Sequence, residues 1–407
     1  MAQTSLDEIF STYANSIGIF RDKNILSIDF SPDNIPHRES QIQQLARILA
    51  PVLRNEKPSN IFIYGKTGTG KSLCAKKVTN GLEEAAAKNG RKVKIIYLNC
   101  KMRNVTDTEY RLLHYILSTF GYDVPFTGLP TNRLYQMLFR TLGKKGGNVI
   151  LVLDEIDTLL DKIGDDILYN ITRANPDISG AKLTLVGISN KADFIDNLDP
   201  RIKSSLSEEE MVFPPYNANE IRDILEERVK GAFHPGVIEY GAITKCAALA
   251  AQENGDARKA LDLLRVAAEL CERAMCTKVT EKFVNMAQEK LDRDRVMEII
   301  RAQPKQSKLV LLAMLNMYKK TKGSIHTGDV YKHYDMLAVR NGMKSLTQRR
   351  VSDLVSELDM LGIINASVIS KGRYGRTRKI NIQLNEKVVS LMSKTLAGEF
   401  TESFINF

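Results

Sequence analysis

The chain is 407 residues long, 43% apolar and 26% charged, with a formal net charge of +10. That length and apolar content predict two or three domains with their own cores, and no apolar run approaches the ~20 residues that cross a bilayer, so a soluble, cytoplasmic chain with no membrane partner is expected. The opening Met1-Ala-Gln-Thr-Ser-Leu-Asp-Glu8 has no basic segment followed by an apolar one, and Cys74, Cys100, Cys246, Cys271 and Cys276 are odd in number and unclustered, so neither a secretory leader, a disulfide frame nor a zinc site is expected.

The first ordered stretch is a turn cluster, Ser31-Pro32-Asp33-Asn34-Ile35-Pro36. It leads through His37-Arg38-Glu39 into a helix whose apolar face is Ile42, Leu45, Ile48, Leu49, Val52 and Leu53. The start of that helix is either the border of an adenine site or an ordinary helix N-terminus. Next comes Ile61-Phe-Ile-Tyr-Gly-Lys-Thr-Gly-Thr-Gly-Lys-Ser72, an apolar strand running into a glycine-rich loop and a helix. Gly65, Gly70, Lys71 and Ser72 meet the spacing G-x-x-x-x-G-K-[ST]. Gly65, Gly68 and Gly70 allow the backbone of Gly65, Lys66, Thr67, Gly68, Thr69 and Gly70 to turn its N–H groups around a β-phosphate, at the positive end of a new helix. Lys71 would reach the β/γ-oxygens, and the Ser72 hydroxyl would ligate Mg²⁺.

Lys94–Asn99 reads as the next strand. The following residues 103–145 carry two helical patterns around the turn Asp123–Pro130, with Arg111, Arg133, Arg140, Lys144 and Lys145 available, and are long for one strand-to-helix connection. Asn148–Leu153 is a continuous apolar run ending in Asp154-Glu155-Ile156-Asp157. Those carboxylates either cap the following helix or form a metal site, with Asp154 holding Mg²⁺ and Glu155 polarising an attacking water. Leu183–Ser189 is a further buried strand that delivers Asn190, a polar amide suited to orienting that water. Beyond Phe213-Pro-Pro-Tyr216 the strands give way to helices, the first opened by a capping box, Asn217-Ala-Asn-Glu220. Another is opened by Gly255-Asp-Ala-Arg258, and a guanidinium in a first helical turn opposes the helix dipole. Arg258 therefore either faces an anionic phosphate or is solvated.

Residues 301–407 hold 18 Lys and Arg against 8 Asp and Glu, which places the whole net charge in the last quarter of the chain. A basic appendage on a neutral body suits a polyanionic partner. Here 308–320 and 329–340 read as helices, and Ser345-Leu-Thr-Gln348 as a capping box for a third with Gln348, Arg349 and Arg350 at its head. Residues 363–370 and 378–384 flank a basic tip, Lys371-Gly-Arg-Tyr-Gly-Arg376. Three helices and such a hairpin make a winged helix: the third helix would enter a major groove, with Arg373, Tyr374, Arg376 and Arg378 against phosphates or the minor groove. A solvated tip or a protein-binding winged helix is the alternative. His326 and His333 read as a packing or solvated pair.

The loop 65–72, Asp154-Glu155, Asn190, Pro200-Arg201 and the helical segment with Arg258 together resemble the AAA+ ATPases. More narrowly, Pro36-His-Arg-Glu39, Arg201-Ile-Lys-Ser-Ser-Leu206, Pro214-Pro-Tyr216 and Gly255-Asp-Ala-Arg-Lys-Ala260 resemble the archaeal Orc/Cdc-type replication initiators. The resemblance implies an α/β fold with a P-loop AAA+ parallel sheet over residues 1–214, an α-helical lid over 215–300 and a C-terminal winged-helix domain over 301–407. It also implies that Tyr216 and Arg228 contact nucleotide, that a helical insertion at about 103–142 (with Arg111 and Arg133) touches origin DNA, and that Glu155, Asn190, Arg258 and Arg201 act in ATP hydrolysis. Many AAA+ proteins place a trans-acting arginine where this chain has Ser205, leaving Arg201 for that part.

The leading expectation is an ATP-regulated, sequence-specific binder of double-stranded origin DNA that uses ATP/ADP and Mg²⁺, hydrolyses ATP slowly as a switch and helps recruit the replicative helicase. It would be nucleoid-associated, monomeric in solution and able to assemble on DNA. The alternatives are an ATP-dependent transcription or signalling switch with a winged helix, and a loading motor acting on protein rings; the missing second arginine argues against the motor.

Overall fold

Five strands, β1 (Asn60–Tyr64), β2 (Val93–Asn99), β3 (Gly147–Asp154), β4 (Ala181–Ser189) and β5 (Glu208–Val212), pair in parallel in the order β2-β3-β4-β1-β5. β1, β3 and β4 are buried along almost their whole length, as strands covered by helices on both faces must be. This computed structural model describes residues 18–102, 105–125, 127–191, 198–206, 208–321, 325–370, 376–382 and 386–400, with backbone alone at 204–206, 208, 370, 376 and 387. The chain divides into two compact units, residues 1–287 and 288–407.

Register positions the site. Tyr64 pairs with Ser189, Asp154 with Ile188 and Asn99 with Asp154, so the carboxyl ends of four strands lie level and their loops meet at one edge of the sheet. Open α/β sheets bind ligands at that edge. On one face, α1 (Glu39–Leu49) and α2 (Lys71–Lys88) pack Leu45, Cys74, Val78 and Leu82 against Ile61, Ile63, Ile150 and Val186. The other face belongs to α3 (Glu109–Thr119), α4 (Thr131–Lys145), α5 (Ile156–Ile163) and α6 (Asp166–Thr172), which bring Leu112, Ile116, Leu138, Leu159 and Leu168 onto Phe62, Leu98, Leu151 and Leu185. Between β4 and β5 lies α7 (Pro200–Leu206).

After β5 the first unit continues as helices: α8 (Ala218–Ala232), α9 (Tyr240–Gln252), α10 (Ala257–Arg273) and the start of α11 (Glu281–Ala302). The capping box read from the sequence forms with both its bonds, Glu220 N–H to Asn217 Oδ1 at 3.0 Å and Asn217 N–H to Glu220 Oε2 at 2.8 Å. A contact the sequence did not announce ties the end of α8 to residues near the N-terminus. The Phe20 and Phe233 rings stack at 5.0 Å, and the Arg21 N–H donates to the Ala232 carbonyl at 2.8 Å.

In the second unit, α12 (Lys305–Thr321), α13 (Thr327–Arg340) and α14 (Gln348–Met360) surround a core of Leu309 to Leu315, Val330, Tyr334, Val351, Val355 and Leu358. The antiparallel sheet β6-β8-β7, from β6 (Ile325–His326), β7 (Asn365–Ser370) and β8 (Arg376–Asn381), covers one side, and α15 (Glu386–Glu399) closes it. This is the helix and hairpin arrangement expected of a winged helix. One local expectation is corrected: α14 is capped by Thr347, whose hydroxyl accepts from Arg350 N–H, and not by Ser345. The Leu346 N–H is occupied by the buried Tyr334 hydroxyl at 3.0 Å, which holds residues just before the helix in an extended approach and moves its start two residues on.

Candidate functional site

The loop after β1 is shaped by positive backbone angles at Gly68 (φ 71°) and at Gly70 (φ 91°), the N-cap of α2. A Cβ at Gly68 would lie 1.7 Å from Asp256 Oδ1, so only glycine permits the approach of α10 to this loop. Lys71 is buried and folds back under the loop, its Nζ donating to the Gly65 and Lys66 carbonyls, each at 2.7 Å, and to Asn190 Oδ1 at 3.0 Å. Burial lowers its pKa to about 8, although nearby Asp154 pulls in the opposite direction. Thr69 braces the loop by donating to the Lys66 carbonyl at 2.9 Å. The loop tip is also held from the helical side: Lys66 Nζ donates to Asn254 Oδ1 at 2.7 Å, Thr67 Oγ1 to Asp256 Oδ2 at 3.4 Å, and Ala257 N–H to the Gly68 carbonyl at 3.3 Å.

At the end of β3, Asp154 Oδ2 accepts from the Tyr97 hydroxyl at 2.6 Å. Burial, with the charge of Asp154 added, pushes the Tyr97 phenol far above its ordinary pKa, so it remains a neutral donor beside Ser72 and Asp154. Ser72 and Asp154 are oxygen donors of the kind that hold a hard divalent cation. Among the described residues no group of three or more His, Cys, Asp and Glu could complete a metal cage, which leaves the other positions to phosphate oxygens and water, the habit of Mg²⁺. Glu155 sits in the left-handed region (φ 59°, ψ 46°) and pairs with Lys101, just beyond β2.

These groups open onto a cleft of about 650 Å³ whose lining includes Gly68, Gly70, Ser72, Asp154, Glu155, Tyr216, Arg228 and Arg258, together with residues 27–36. The Arg228 Nη1 donates to the Ile25 carbonyl at 3.2 Å and its guanidinium lies 4.7 Å from the centre of the Phe30 ring, so this arginine also holds the near wall of the cleft. Arg258 stands in the first turn of α10. The opposition to the helix dipole expected from the sequence is answered within the protein: Asp256 caps the helix, accepting from Arg258 N–H at 2.9 Å and Lys259 N–H at 3.4 Å, and supplies an anion at that end. Arg201 is not among the residues lining the cleft; it is 82% exposed and pairs with Asp199 at 3.3 Å. Tyr97, Lys101 and Asp256 had no role in the sequence-derived site, and Arg38 entered it only within the helix start read as either the border of an adenine site or an ordinary helix N-terminus.

The basic residues are distributed along three helices and the hairpin. Arg111 on α3 pairs with Asp107 at 3.4 Å, and Arg133 on α4 donates to Gln136 Oε1 at 3.4 Å. In the first turn of α14 Arg349 is exposed and Arg350 pairs with Glu357 at 3.3 Å. Arg378 on β8 donates to Ser356 Oγ on α14. Arg376 begins β8, described by its backbone alone, and Arg373 and Tyr374 lie outside the described residues.

Comparison with known proteins matches three families in chain order: an AAA domain over residues 54–194, a Cdc6 AAA+ ATPase-type lid domain over 222–289, and the CDC6 C-terminal winged-helix domain over 298–391. The ORC1-type DNA replication protein of Pyrococcus furiosus is 50% identical over 386 residues, covering 94% of this chain and 91% of its own. ORC1-type DNA replication protein 1 of Archaeoglobus fulgidus is 48% identical, covering 94% and 92%. Among solved structures, the Aeropyrum pernix ORC1 protein in complex with DNA is 45% identical with a TM-score of 0.80, covering 95% of this chain and 99% of its own.

Proposed function

The chain belongs to the ORC1-type, Cdc6-related family of AAA+ DNA replication proteins, and from that premise we propose that it is an ATP-regulated, sequence-specific binder of double-stranded origin DNA. The observation that carries the reading is the convergence of Ser72, Asp154, Glu155 and Arg258 on one cleft, with the neighbouring Lys71 bonded to Asn190 beneath the loop. The residues fit a nucleoside di- or triphosphate with Mg²⁺. Lys71 is desolvated with only uncharged oxygens as hydrogen-bond partners, an arrangement that an anionic phosphate improves. When bound, Mg²⁺ supplies charge neutralisation at the phosphates through Ser72 and Asp154.

The protein's own groups divide the remaining work. Lys71 compensates phosphate charge, the Asn190 amide orients water, and Glu155 takes a proton at its carboxylate once it has left Lys101. Arg258 and Arg228 couple the lid, residues 215–300, to what the body, residues 1–214, has bound, and slow hydrolysis to ADP resets the angle between them. Residues 301–407 read DNA, with α14 and its Arg349 and Arg350 in the major groove and Arg373, Tyr374, Arg376 and Arg378 of the hairpin on phosphates or the minor groove. Arg111 and Arg133 add a second contact, and Arg201 acts at a neighbouring copy assembled on DNA. Recruitment of the replicative helicase is the further role we propose for the DNA-bound protein. The 45% identity to a protein solved with DNA supports the polyanionic partner.

Footprinting on total genomic DNA of the source organism tests the proposal. Protection confined to a few origin-like sites is the expected result. Protection at promoters would favour a transcription switch, and uniform or absent protection would remove sequence-specific recognition.

A further inference from the structure

Arg38 is 2% exposed, and among the described residues no carboxylate lies within ion-pair distance of it. A buried guanidinium is retained at a cost unless its donors are satisfied, and here carbonyl oxygens take one bond from each of its three nitrogens. Nε donates to the Thr69 carbonyl at 2.9 Å, Nη1 to the His37 carbonyl at 2.9 Å and Nη2 to the Pro214 carbonyl at 2.6 Å. The planar group lies 3.7 Å over the Tyr216 ring and 5.7 Å from that of Phe213. One side chain therefore joins the turn before α1, the phosphate loop, and the segment leading from β5 into the lid.

The bond to Thr69 fixes more than a position. No peptide among the described residues is cis, and in a trans peptide the carbonyl and the following N–H point in opposite directions. Holding the Thr69 carbonyl against Arg38 thus turns the Gly70 N–H away from Arg38, and Gly70 lines the cleft. Among the described residues no protein acceptor takes that N–H. Gly70 has no side chain to resist a flip of this peptide, and a Cβ there would meet the Tyr216 hydroxyl at 2.9 Å, so the bond from Arg38 is the restraint that acts on this carbonyl from outside the loop.

We infer that Arg38 is the positioning residue of the phosphate cradle: by pinning the Thr69–Gly70 peptide it aims the Gly70 N–H at the ligand's phosphate, and through Pro214 and Tyr216 it couples that orientation to the start of the lid. The inference rests on the reading of the cleft as a nucleotide site. A lysine here keeps the charge and most of the stem but cannot reach Thr69, His37 and Pro214 together.

The test is the ratio of ADP to adenosine affinity, measured by competition against a fluorescent ADP, in wild type and Arg38→Lys. The ratio isolates the phosphate contribution and does not change with the fraction of protein that is folded. It should fall about tenfold or more in Arg38→Lys, the loss expected for one misdirected charge-assisted hydrogen bond. A ratio within twofold of wild type overturns the inference, whether both affinities fall, as a purely structural or adenine-contacting arginine predicts, or neither does. Should Arg38→Lys not fold, Tyr216→Leu, which removes the ring beneath the guanidinium, must lower the same ratio; an unchanged ratio there overturns it equally. A wild-type protein that binds ADP no better than adenosine would instead refute the nucleotide site itself.

Discussion

Gly68→Ala is the substitution whose consequence can be worked most fully. Two costs arise. Alanine at φ 71° bears left-handed strain of ~1–2 kcal/mol, and its Cβ, 1.7 Å from Asp256 Oδ1, forces that carboxylate away from the N-terminus of α10, forfeiting a cap worth ~1 kcal/mol. The single variant should lose about 2–3 kcal/mol. Asp256→Ala alone should lose ~1 kcal/mol, because it removes the cap together with the long 3.4 Å bond from Thr67. In the double variant the cap is already gone and the clash with its carboxylate is absent, so the loss should match that of Gly68→Ala alone. The assay is urea unfolding followed by far-UV circular dichroism, the chain having no tryptophan. Additive losses, with the double variant about 1 kcal/mol worse than Gly68→Ala, would show that the loop and α10 are not in the contact described.

Lys71→Ala should abolish tight ATP binding, whereas Glu155→Gln should keep ATP and lose hydrolysis; equal ATP affinity in wild type and Lys71→Ala would remove the site assignment. The pKa of Lys71, near 8 in the free protein, must rise beside phosphate, so binding takes up a proton and affinity falls as pH climbs above 8. Calorimetry at pH 8.5 in two buffers of different ionisation heat should report uptake of roughly three-quarters of a proton, absent in Lys71→Arg, and zero uptake in wild type would contradict the buried lysine. Arg258→Ala should slow hydrolysis while leaving the unfolding midpoint nearly unchanged, because Asp256 still caps α10; wild-type turnover would return Arg258 to a solvated role.

Legibility followed the range of the interactions. The phosphate loop is local: its glycines, Lys71 and Ser72 are fixed by one turn between a strand and a helix, and spacing alone locates them. Asp154 and Asn190 were legible because each follows an apolar strand, and parallel register brings strand ends level. Arg38 was not, since its partners lie 31 and 176 residues away and are backbone carbonyls, which leave no trace in side-chain pattern. Tyr97 reads as an ordinary strand aromatic until β2 pairs with β3 and its hydroxyl meets Asp154. The cation in the first turn of α10 is accounted for locally by Asp256, the capping residue directly before the helix. Ser345 satisfied a capping pattern that Thr347 satisfied in fact, because the buried Tyr334 hydroxyl already occupied the neighbouring backbone.

The account stands on nucleotide-regulated recognition of particular DNA sites. Its most direct test is competition, at one fixed near-physiological salt concentration and with ATP or ADP present, between a footprint-protected duplex and a scrambled duplex of the same composition. Wild type should prefer its site by about 10³-fold or more. Arg349→Ala/Arg350→Ala should lower that preference where the contacts are to base edges, and weaken binding to both duplexes alike where they are to phosphate. Equal affinity of wild type for both duplexes, unaltered by nucleotide, would contradict the account.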